Sequence, residues 1–304
     1  MPELPEVETI RRGLQEHLVG HKIKDVEIKL AKQFHGDKKK VINAKVVVVR
    51  RFGKGLVIDL DNDYSIAIHV KMTGQLLYRN KGWREWGTPV ERLQGAKGVK
   101  PSDGGDERQD PAIDNLPDKY THIVFHLDND AVLYYRDVRQ FGWVEVLPTI
   151  EVANHRFFKA LGKEPLKDLT LKDFAILVKK YKMPIKQLLM EQSKIAGIGN
   201  IYANDALFVA KIHPKRSSLS LSDQEIKLLF NAIETVLKKG IETGGASERD
   251  YINVLGGKGS YQKHFQVYGK DGKPCVRCGT IIKRIVLGGR GTFFCPQCQP
   301  EVLK

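Results

Sequence analysis

The cysteines constrain the fold of this chain more than any other residues. All four lie near the C-terminus, as two Cys-x-x-Cys pairs separated by 16 residues: Cys275 with Cys278, and Cys295 with Cys298. Two such pairs at this separation are typical of a site where four thiolates bind one structural zinc ion. The segment between the pairs is then predicted to fold as a β-hairpin, with Arg290 at its tip. Disulfides are the weaker alternative, because the N-terminus does not resemble an export signal.

The apolar pattern upstream of the cysteines separates a strand-rich part from a helical part. Residues 5–18 carry one apolar stripe, which predicts a helix. Strand-like runs follow, several with alternating apolar residues: 23–30, 46–50, 56–60, 64–70, 121–127, 131–135 and 144–147. This spacing favours an antiparallel sandwich or barrel. Beyond Pro148 the pattern predicts helices over 171–181, 184–192 and 200–210. Ser222 and Glu225 form a capping box that begins a further helix.

The charge balance favours a polyanionic partner. The 304 residues include 50 Lys and Arg against 36 Asp and Glu, a net charge of +14. Such an excess is typical of nucleic-acid binding, although a solvated basic surface also accounts for it.

No apolar run reaches the roughly 18 residues that a membrane span needs. Glu3, Glu6 and Glu8 occupy the region where an export signal would be basic and then apolar. We therefore expect a cytoplasmic protein without a membrane partner.

The first six residues, Met-Pro-Glu-Leu-Pro-Glu, place an amine beside two carboxylates. Removal of Met1 would make Pro2 a secondary amine close to Glu3 and Glu6. Such an amine can attack a sugar aldehyde carbon and form an iminium. The hexapeptide is also an ordinary helix start, because Pro5 suits a first helical turn and glutamates suit its positive end. Taken alone, the hexapeptide favours the helix start.

Three further segments could contact DNA, and each also has a purely structural explanation. The turn 195–200, Ile-Ala-Gly-Ile-Gly-Asn, opens onto a helix between basic residues, where backbone amides can reach a phosphate and a helix pair can clamp a duplex. The segment 136–142 joins two strands. Its Arg139 and Phe141 could bond an orphaned base and wedge between bases, or they could form a turn with a packed Phe. Lys54, on a turn between two glycines, could reach a phosphate or remain on the solvated surface.

These features together resemble the formamidopyrimidine-DNA glycosylases, base-excision repair enzymes for oxidised purines. The matching segments are PELPEVETIRRGL, HVKMTG, GIGNIYANDALF, QVYGKDGKPCVRCGT and RGTFFCPQCQ, in the family's order along nearly the whole chain. The resemblance implies an α+β multidomain protein with three units. They are an N-terminal catalytic β-sandwich flanked by helices over 1–148, a helix-two-turn-helix DNA-binding unit over 149–245, and a lesion loop with a four-cysteine zinc finger over 246–304.

The resemblance assigns chemistry to five positions. Pro2 matches the nucleophile that displaces the damaged base and forms the imine. Glu3 matches the acid that protonates the sugar ring oxygen, and Glu6 matches a supporting carboxylate. Lys54 matches a phosphate-binding lysine assigned to β-elimination, and Arg290 matches a zinc-finger arginine assigned to δ-elimination.

Elementary chemistry agrees with these assignments. An α-amino group titrates near ~8, far below a lysine, and a helix N-terminus lowers that pKa further by opposing a second positive charge. A nearby carboxylic acid can supply the proton for ring opening. Elimination needs no metal, and four thiolates leave the zinc ion no open coordination position. Every step depends on the removal of Met1.

The resemblance also implies a set of DNA contacts. Met72, Arg139 and Phe141 match the residues that fill the gap left by the flipped nucleotide. The other contacts, to DNA or within the lesion loop, fall on His69, Tyr120, Lys180, Tyr181, Lys182, Asn200 and Lys258. The expected partner is damaged double-stranded DNA, bound by a monomer that is associated with the nucleoid.

Some positions depart from the family pattern. Val138 and Gln140 stand where the family usually has Pro and Arg, and Tyr120 and Tyr181 stand where it has His and Lys. The changes at Val138 and Gln140 are expected to weaken the phosphate contact of that loop while sparing Arg139 and Phe141. Tyr120 and Tyr181 can still contact DNA, but with less charge. Residues 79–118 exceed the family pattern and are predicted to form a long exposed insertion, which extends the DNA footprint or binds another partner.

Two alternatives stay open. The endonuclease VIII branch prefers oxidised pyrimidines and shares the amine and Glu3, but it commonly has Gly where this chain has Leu4. Leu4 and the loop around Lys258 favour purines. A DNA-binding protein without catalysis would explain the charge and the zinc ribbon, but not the joint occurrence of Pro2, Glu3 and Lys54.

Overall fold

The computed structural model describes residues 1–80 and 115–301. Most of the insertion predicted over 79–118, including Trp83 and Trp86, lies outside the described residues. Its two ends are described: Arg79 is the last residue of a strand, and Leu116 is buried.

The N-terminal part is a β-sandwich with one long helix, α1, Leu4–Leu18, packed against it. Nine strands follow among the described residues: β1 Ile23–Ile28, β2 Phe34–His35, β3 Val46–Phe52, β4 Gly55–Leu60, β5 Tyr64–His69, β6 Gly74–Arg79, β7 Thr121–Leu127, β8 Val132–Asp137 and β9 Trp143–Pro148. They form one sheet in the order β1-β7-β8-β6 and another in the order β2-β9-β5-β4-β3. Apolar side chains from both sheets and from α1 share one core.

The predicted strands are confirmed, with ends that differ by no more than two residues. Two strands were not predicted. Strand β6 is buried at every position, so it lacks the alternation that marks a strand with one solvated face. Strand β2 has two residues and runs parallel to β9, so the second sheet is not wholly antiparallel. Arg136 and Asp137, predicted to lie in a connecting segment, instead end strand β8.

The second part is helical: α2 Arg156–Lys159, α3 Leu171–Lys180, α4 Ile185–Met190, α5 Asn200–Val209 and α6 Asp223–Glu242. Only α2 was not predicted, because four residues are too few to show a helical period. The predicted capping box is confirmed at the start of α6. The Glu225 amide donates to Ser222 Oγ over 3.2 Å, and the Ser222 amide donates to the Glu225 carboxylate over 2.8 Å.

The two parts meet at the N-terminus of α1. Leu4 belongs to the helical core, where it packs in one cluster with Ile198 and Tyr202, whereas Val7 and Ile10 belong to the sandwich core. The Leu4 amide also donates to the Gly197 carbonyl over 3.0 Å. The first residues of the chain are therefore fixed between the sandwich and the turn before α5.

The cysteine-rich end folds as the predicted hairpin, β10 Lys283–Leu287 and β11 Arg290–Phe294. Leu287 pairs with Arg290 across two glycines of positive φ, so Arg290 closes the tip. The hairpin packs on the helical part, where the Phe293 amide donates to Asn204 Oδ1 over 2.8 Å. Among the helices of residues 1–80 and 115–301, none has the length and apolarity that a bilayer crossing requires.

Candidate active site and DNA interface

Glu3 is enclosed by the turn that precedes α5. Its side chain is buried, and its two carboxylate oxygens accept from the Gly199 amide over 2.7 Å and from the Ile201 amide over 2.8 Å. Free amides at the start of a helix form a natural anion site. The amides predicted to reach a phosphate therefore bind a carboxylate of the chain itself. A Cβ at residue 199 would lie 2.3 Å from Glu3 Cδ, so this close approach requires glycine.

Glu6 ties the same region together from inside α1. One carboxylate oxygen accepts from the Glu3 amide over 2.8 Å. The other accepts from the Tyr202 hydroxyl over 2.8 Å and from the Ala246 amide over 2.7 Å. The hexapeptide is thus both a helix start and a pair of carboxylates beside an amine. The start of α1 places Glu3 and Glu6 where it meets the beginning of α5 and the segment that follows α6.

Lys54 is buried close to Glu3. Its Nζ donates to the Ile198 carbonyl over 2.9 Å, so the solvated-surface alternative is wrong. The turn that carries it is held by Glu164, which accepts from the Gly53 amide over 2.7 Å and from Arg51 over 2.6 Å. Gly53 has φ of 56°, a conformation that favours glycine.

Burial shifts the pKa values of Glu3 and Lys54 in the directions that favour their neutral forms. It raises the pKa of Glu3 to about 7, against the opposing charge of Lys54. It lowers the pKa of Lys54, against the opposing charges of Glu3 and Glu6. Near neutral pH the Glu3 carboxyl is therefore divided between its proton-donating and ionised forms, which suits a general acid.

Arg290 is exposed at the hairpin tip, and the hairpin is held by two residues of the helical part. Lys186 is buried and donates to Asn200 Oδ1 and to Thr292 Oγ1, each over 2.7 Å. The Asn200 amide nitrogen donates to the Gly291 carbonyl over 3.1 Å. Burial lowers the pKa of Lys186 to about 7. The sequence indicated Lys186 only as one of the basic residues around the turn 195–200, and not as a residue that holds the hairpin.

The four cysteines fit a structural zinc ion. Their Sγ atoms all lie within 4.8 Å of one another, with 3.5 Å between Cys278 and Cys295 and 3.9 Å between Cys275 and Cys298. A tetrahedron with zinc–sulfur bonds of about 2.3 Å requires sulfur separations of this size. The four thiolates would saturate the ion, which leaves it a structural role.

Met72, Arg139 and Phe141 come together at the surface of the sandwich. Arg139 Nη1 lies 3.0 Å from Met72 Sδ, and the guanidinium carbon lies 4.7 Å from the Phe141 ring centroid. Phe141 is 55% exposed, so the alternative of a packed Phe is wrong. An exposed cluster of this composition suits insertion into an opened duplex.

Asp137 joins the two loops that carry this cluster, and sequence reasoning missed it. It is fully buried, and its carboxylate accepts from the Thr73 hydroxyl over 2.5 Å and from the Gly142 amide over 2.8 Å. Thr73 Oγ1 in turn accepts from the Arg139 amide over 3.0 Å. A carboxylate next to Arg136, at the end of a strand that is apolar up to Tyr135, was the available signal.

The remaining predicted DNA contacts differ in exposure. Lys180, Lys182 and Lys258 are exposed, and Tyr120 and Tyr181 are half-buried. His69 is buried, and its Nδ1 accepts from the Lys71 amide over 2.9 Å. Burial lowers the pKa of His69 to about 3, so this ring is neutral and can meet DNA only as a neutral donor.

Comparison with known proteins places this geometry in a family. Residues 1–144 match the formamidopyrimidine-DNA glycosylase N-terminal domain, 161–251 match the H2TH domain of the same enzymes, and 272–300 match the zinc finger found in FPG and IleRS. Formamidopyrimidine-DNA glycosylases of Pelotomaculum thermopropionicum and Listeria innocua are each 39% identical over 98% of this chain, covering 99% and 100% of their own lengths.

Solved structures agree with this assignment. A Lactococcus lactis FPG variant bound to Fapy-dG-containing DNA has a TM-score of 0.82 and 34% identity, over 99% of this chain and 100% of that one. Lactococcus lactis Fpg bound to abasic-site DNA has a TM-score of 0.81 and 33% identity, over 98% and 100%. The fold and the site define a zinc-finger DNA repair glycosylase. The chain belongs to the formamidopyrimidine-DNA glycosylase family.

Proposed function

We propose that this chain excises oxidised purines, such as 8-oxoguanine and formamidopyrimidines, from duplex DNA and then cleaves the strand as an AP lyase. The nucleophile is the secondary amine of Pro2 after loss of Met1. The observation that carries the proposal is the setting of Glu3, the residue next to that amine. Its buried carboxyl has a pKa of about 7 and lies between helix amides and Lys54.

In the proposed reaction Glu3 donates its proton to the ring oxygen of the flipped nucleotide, and the sugar ring opens as the base nitrogen shares its electron pair with C1′. The Pro2 nitrogen then bonds to C1′ and passes its own proton to the base. The base leaves with the electron pair of the glycosidic bond, and an iminium links the protein to C1′. The iminium acidifies the C2′ proton. Loss of that proton expels the 3′ phosphate by β-elimination, and a second elimination expels the 5′ phosphate.

The other predicted residues act on the DNA in this proposal. Lys54 and Arg290 contact the phosphates that leave, and the four cysteines would hold the zinc ion that stabilises the hairpin behind Arg290. Met72, Arg139 and Phe141 occupy the gap in the duplex. The remaining contacts are His69, Tyr120, Lys180, Tyr181, Lys182, Asn200 and Lys258.

The organisation proposed for the molecule has three functional units. They are the catalytic sandwich over 1–148, the helical DNA-binding unit over 149–245, and the lesion loop with the zinc finger over 246–304. Damaged double-stranded DNA is the partner, and the protein acts as a monomer in the cytoplasm, on the nucleoid.

Borohydride trapping tests the nucleophile. The protein is freed of Met1, as verified by its N-terminal mass, and reduced in the presence of an 8-oxoguanine duplex. A covalent adduct is expected, a Pro2→Gly variant should trap poorly, and acetylation of the N-terminal amine should abolish trapping. Efficient trapping by the acetylated protein would exclude Pro2 as the nucleophile.

Oxidised pyrimidines are the second candidate substrate. Lactococcus lactis FPG has been solved in complex with DNA that contains an oxidised pyrimidine, so the fold accommodates such a base. Single-turnover excision of 8-oxoguanine and of thymine glycol, measured in one duplex sequence, separates the candidates. We expect faster release of 8-oxoguanine, and the opposite order would favour the endonuclease VIII preference.

A further inference from the structure

Gln75 lies at the centre of a buried polar chain that the mechanism above does not use. It is located on β6, three residues after Met72, and its side chain is buried. Its Nε2 donates to the backbone carbonyl of Asp250 over 2.6 Å, and its Oε1 accepts from Arg136 Nη1 over 3.0 Å. One side chain thus connects two strands of the sandwich to the segment that follows α6.

Arg136 fixes the orientation of the Gln75 amide. The Arg136 side chain is buried, its Nε donates to the Asp118 carboxylate over 2.8 Å, and its guanidinium carbon lies 5.0 Å from the Tyr120 ring centroid. A guanidinium has donors but no acceptor, so only the oxygen of Gln75 can face it. The amide nitrogen of Gln75 must then point at the Asp250 carbonyl.

Strand β6 contacts the segment that leads into the Lys258 loop, residues 256–260, at two further points. The Tyr78 amide donates to the Val254 carbonyl over 2.8 Å, and Leu77 packs in one cluster with Leu116 and Ile252. The loop itself continues through Gly256, which has φ of 90°, to the exposed Lys258. Gln75 supplies the first of three consecutive attachments along the segment 250–254.

We propose that Gln75 is a positioning residue that sets the Lys258 loop over the extruded base. Gln75 therefore controls the rate of base excision and not the rate of strand cleavage. This proposal rests on the function proposed above. Strand β6 begins beside Met72 and holds the Lys258 loop through Gln75. One rigid strand therefore orients both the side chain that fills the gap in the duplex and the loop that meets the extruded base. A loop displaced by about 1 Å can cost as much as a hundredfold in rate.

Two substitutions separate the bond to the loop from the bond to Arg136. In Gln75→Glu the carboxylate still accepts from Arg136 but presents an oxygen to the Asp250 carbonyl, so the attachment of the loop is lost. In Gln75→Met the volume is kept and both bonds are lost. Gln15→Met is the matched control, because Gln15 Oε1 accepts from the Val49 amide over 2.8 Å, between α1 and β3.

The experiment compares two single-turnover rates for each variant: release of 8-oxoguanine from duplex DNA, and strand cleavage at a preformed abasic site, which has no base to position. We expect Gln75→Glu to lower base release about tenfold, the value of one buried hydrogen bond, and to leave abasic-site cleavage within about twofold. Amide hydrogen exchange over 250–254 should accelerate in both Gln75 variants and remain unchanged in Gln15→Met.

Equal loss of both rates would overturn the proposal, since Gln75 would then support only the fold. Unchanged base release in Gln75→Glu would overturn it as well. If Gln75→Met fails to fold, the Gln75→Glu ratio alone decides. A wild-type protein that cleaves neither substrate would instead refute the proposed function, so the two failures are distinguishable.

Discussion

The buried carboxylate of Glu3 and the exposed cluster of Met72, Arg139 and Phe141 both belong to the N-terminal part but are held in opposite ways. Glu3 is 2% exposed and accepts from backbone amides of a neighbouring part. In the cluster, Phe141 is 55% and Met72 is 40% exposed, and the side chains contact one another through Arg139. Only the backbone beneath the cluster is fixed, by the buried Asp137.

This difference separates two tasks. A proton donor must have its geometry and its pKa set before substrate arrives, and burial among fixed amides achieves both. A group that enters an opened duplex gains its contacts from the DNA, so it can remain exposed until the complex forms. Substitutions in the first region should therefore impair chemistry on every substrate, and substitutions in the second should impair only the opening of the duplex.

The largest effect is expected for Glu3→Gln. The amide has the shape of the carboxyl group but cannot donate an acidic proton, so base release should fall about a thousandfold while DNA binding persists. Single-turnover kinetics measure the rate, and a filter-binding assay measures the affinity. Glu16→Gln, at an exposed position of the same helix, is the control. A loss below about tenfold would show that another group supplies the proton.

Gly199→Ala should displace Glu3 without changing its chemistry. The φ of residue 199 is −131°, which alanine adopts freely, but the new Cβ would lie 2.3 Å from Glu3 Cδ. We expect about a hundredfold slower base release. The double variant Glu3→Gln, Gly199→Ala tests the cause, because it should be little slower than Glu3→Gln alone. Additive losses would mean that Gly199 acts through the helix and not through Glu3.

Phe141→Ala should lower base release from a fully paired duplex by about tenfold, since unstacking costs a few kcal/mol and the wedge offsets part of it. The rate should recover on a duplex that lacks the base opposite the lesion. Ile150→Ala removes another exposed apolar side chain, which lies two residues beyond β9 and is 86% exposed, and should have no effect. An equal loss on both duplexes would place Phe141 in the chemical step.

The smallest expected effect is the fall in the rate of base release on the alkaline side of its pH profile. Glu3 with a pKa of about 7 loses its proton as the pH rises, whereas the amine gains little reactivity above its own pKa near ~8. Base release should therefore fall about fivefold between about pH 8 and about pH 9. Phe141→Ala should keep this limb, because it leaves Glu3 untouched. A flat profile in the wild-type protein would contradict the protonated role of Glu3.

Much of the molecule could be predicted from local sequence. Four cysteines at zinc spacing, one amphipathic helix and a capping box each carry their signal within one continuous stretch of at most about 25 residues, and all are confirmed. Strand β6 was missed because a strand buried on both faces shows no alternation. Asp137 and Gln75 were missed because a polar residue in a strand shows its partners only when the sheets are assembled.

The sequence by itself determined which chemical groups the protein has: the amine behind Met1, the carboxylates of Glu3 and Glu6, and four thiolates. The tertiary structure alone decided what those groups do to one another. Glu3 meets the Gly199 amide 196 residues further along the chain, and Lys54 meets the Ile198 carbonyl 144 residues further along. These pairs form because Leu4 is buried in the helical core while the rest of its helix packs on the sandwich. The raised pKa of Glu3 is a consequence of that packing, since desolvation depends on every element that surrounds the carboxyl group.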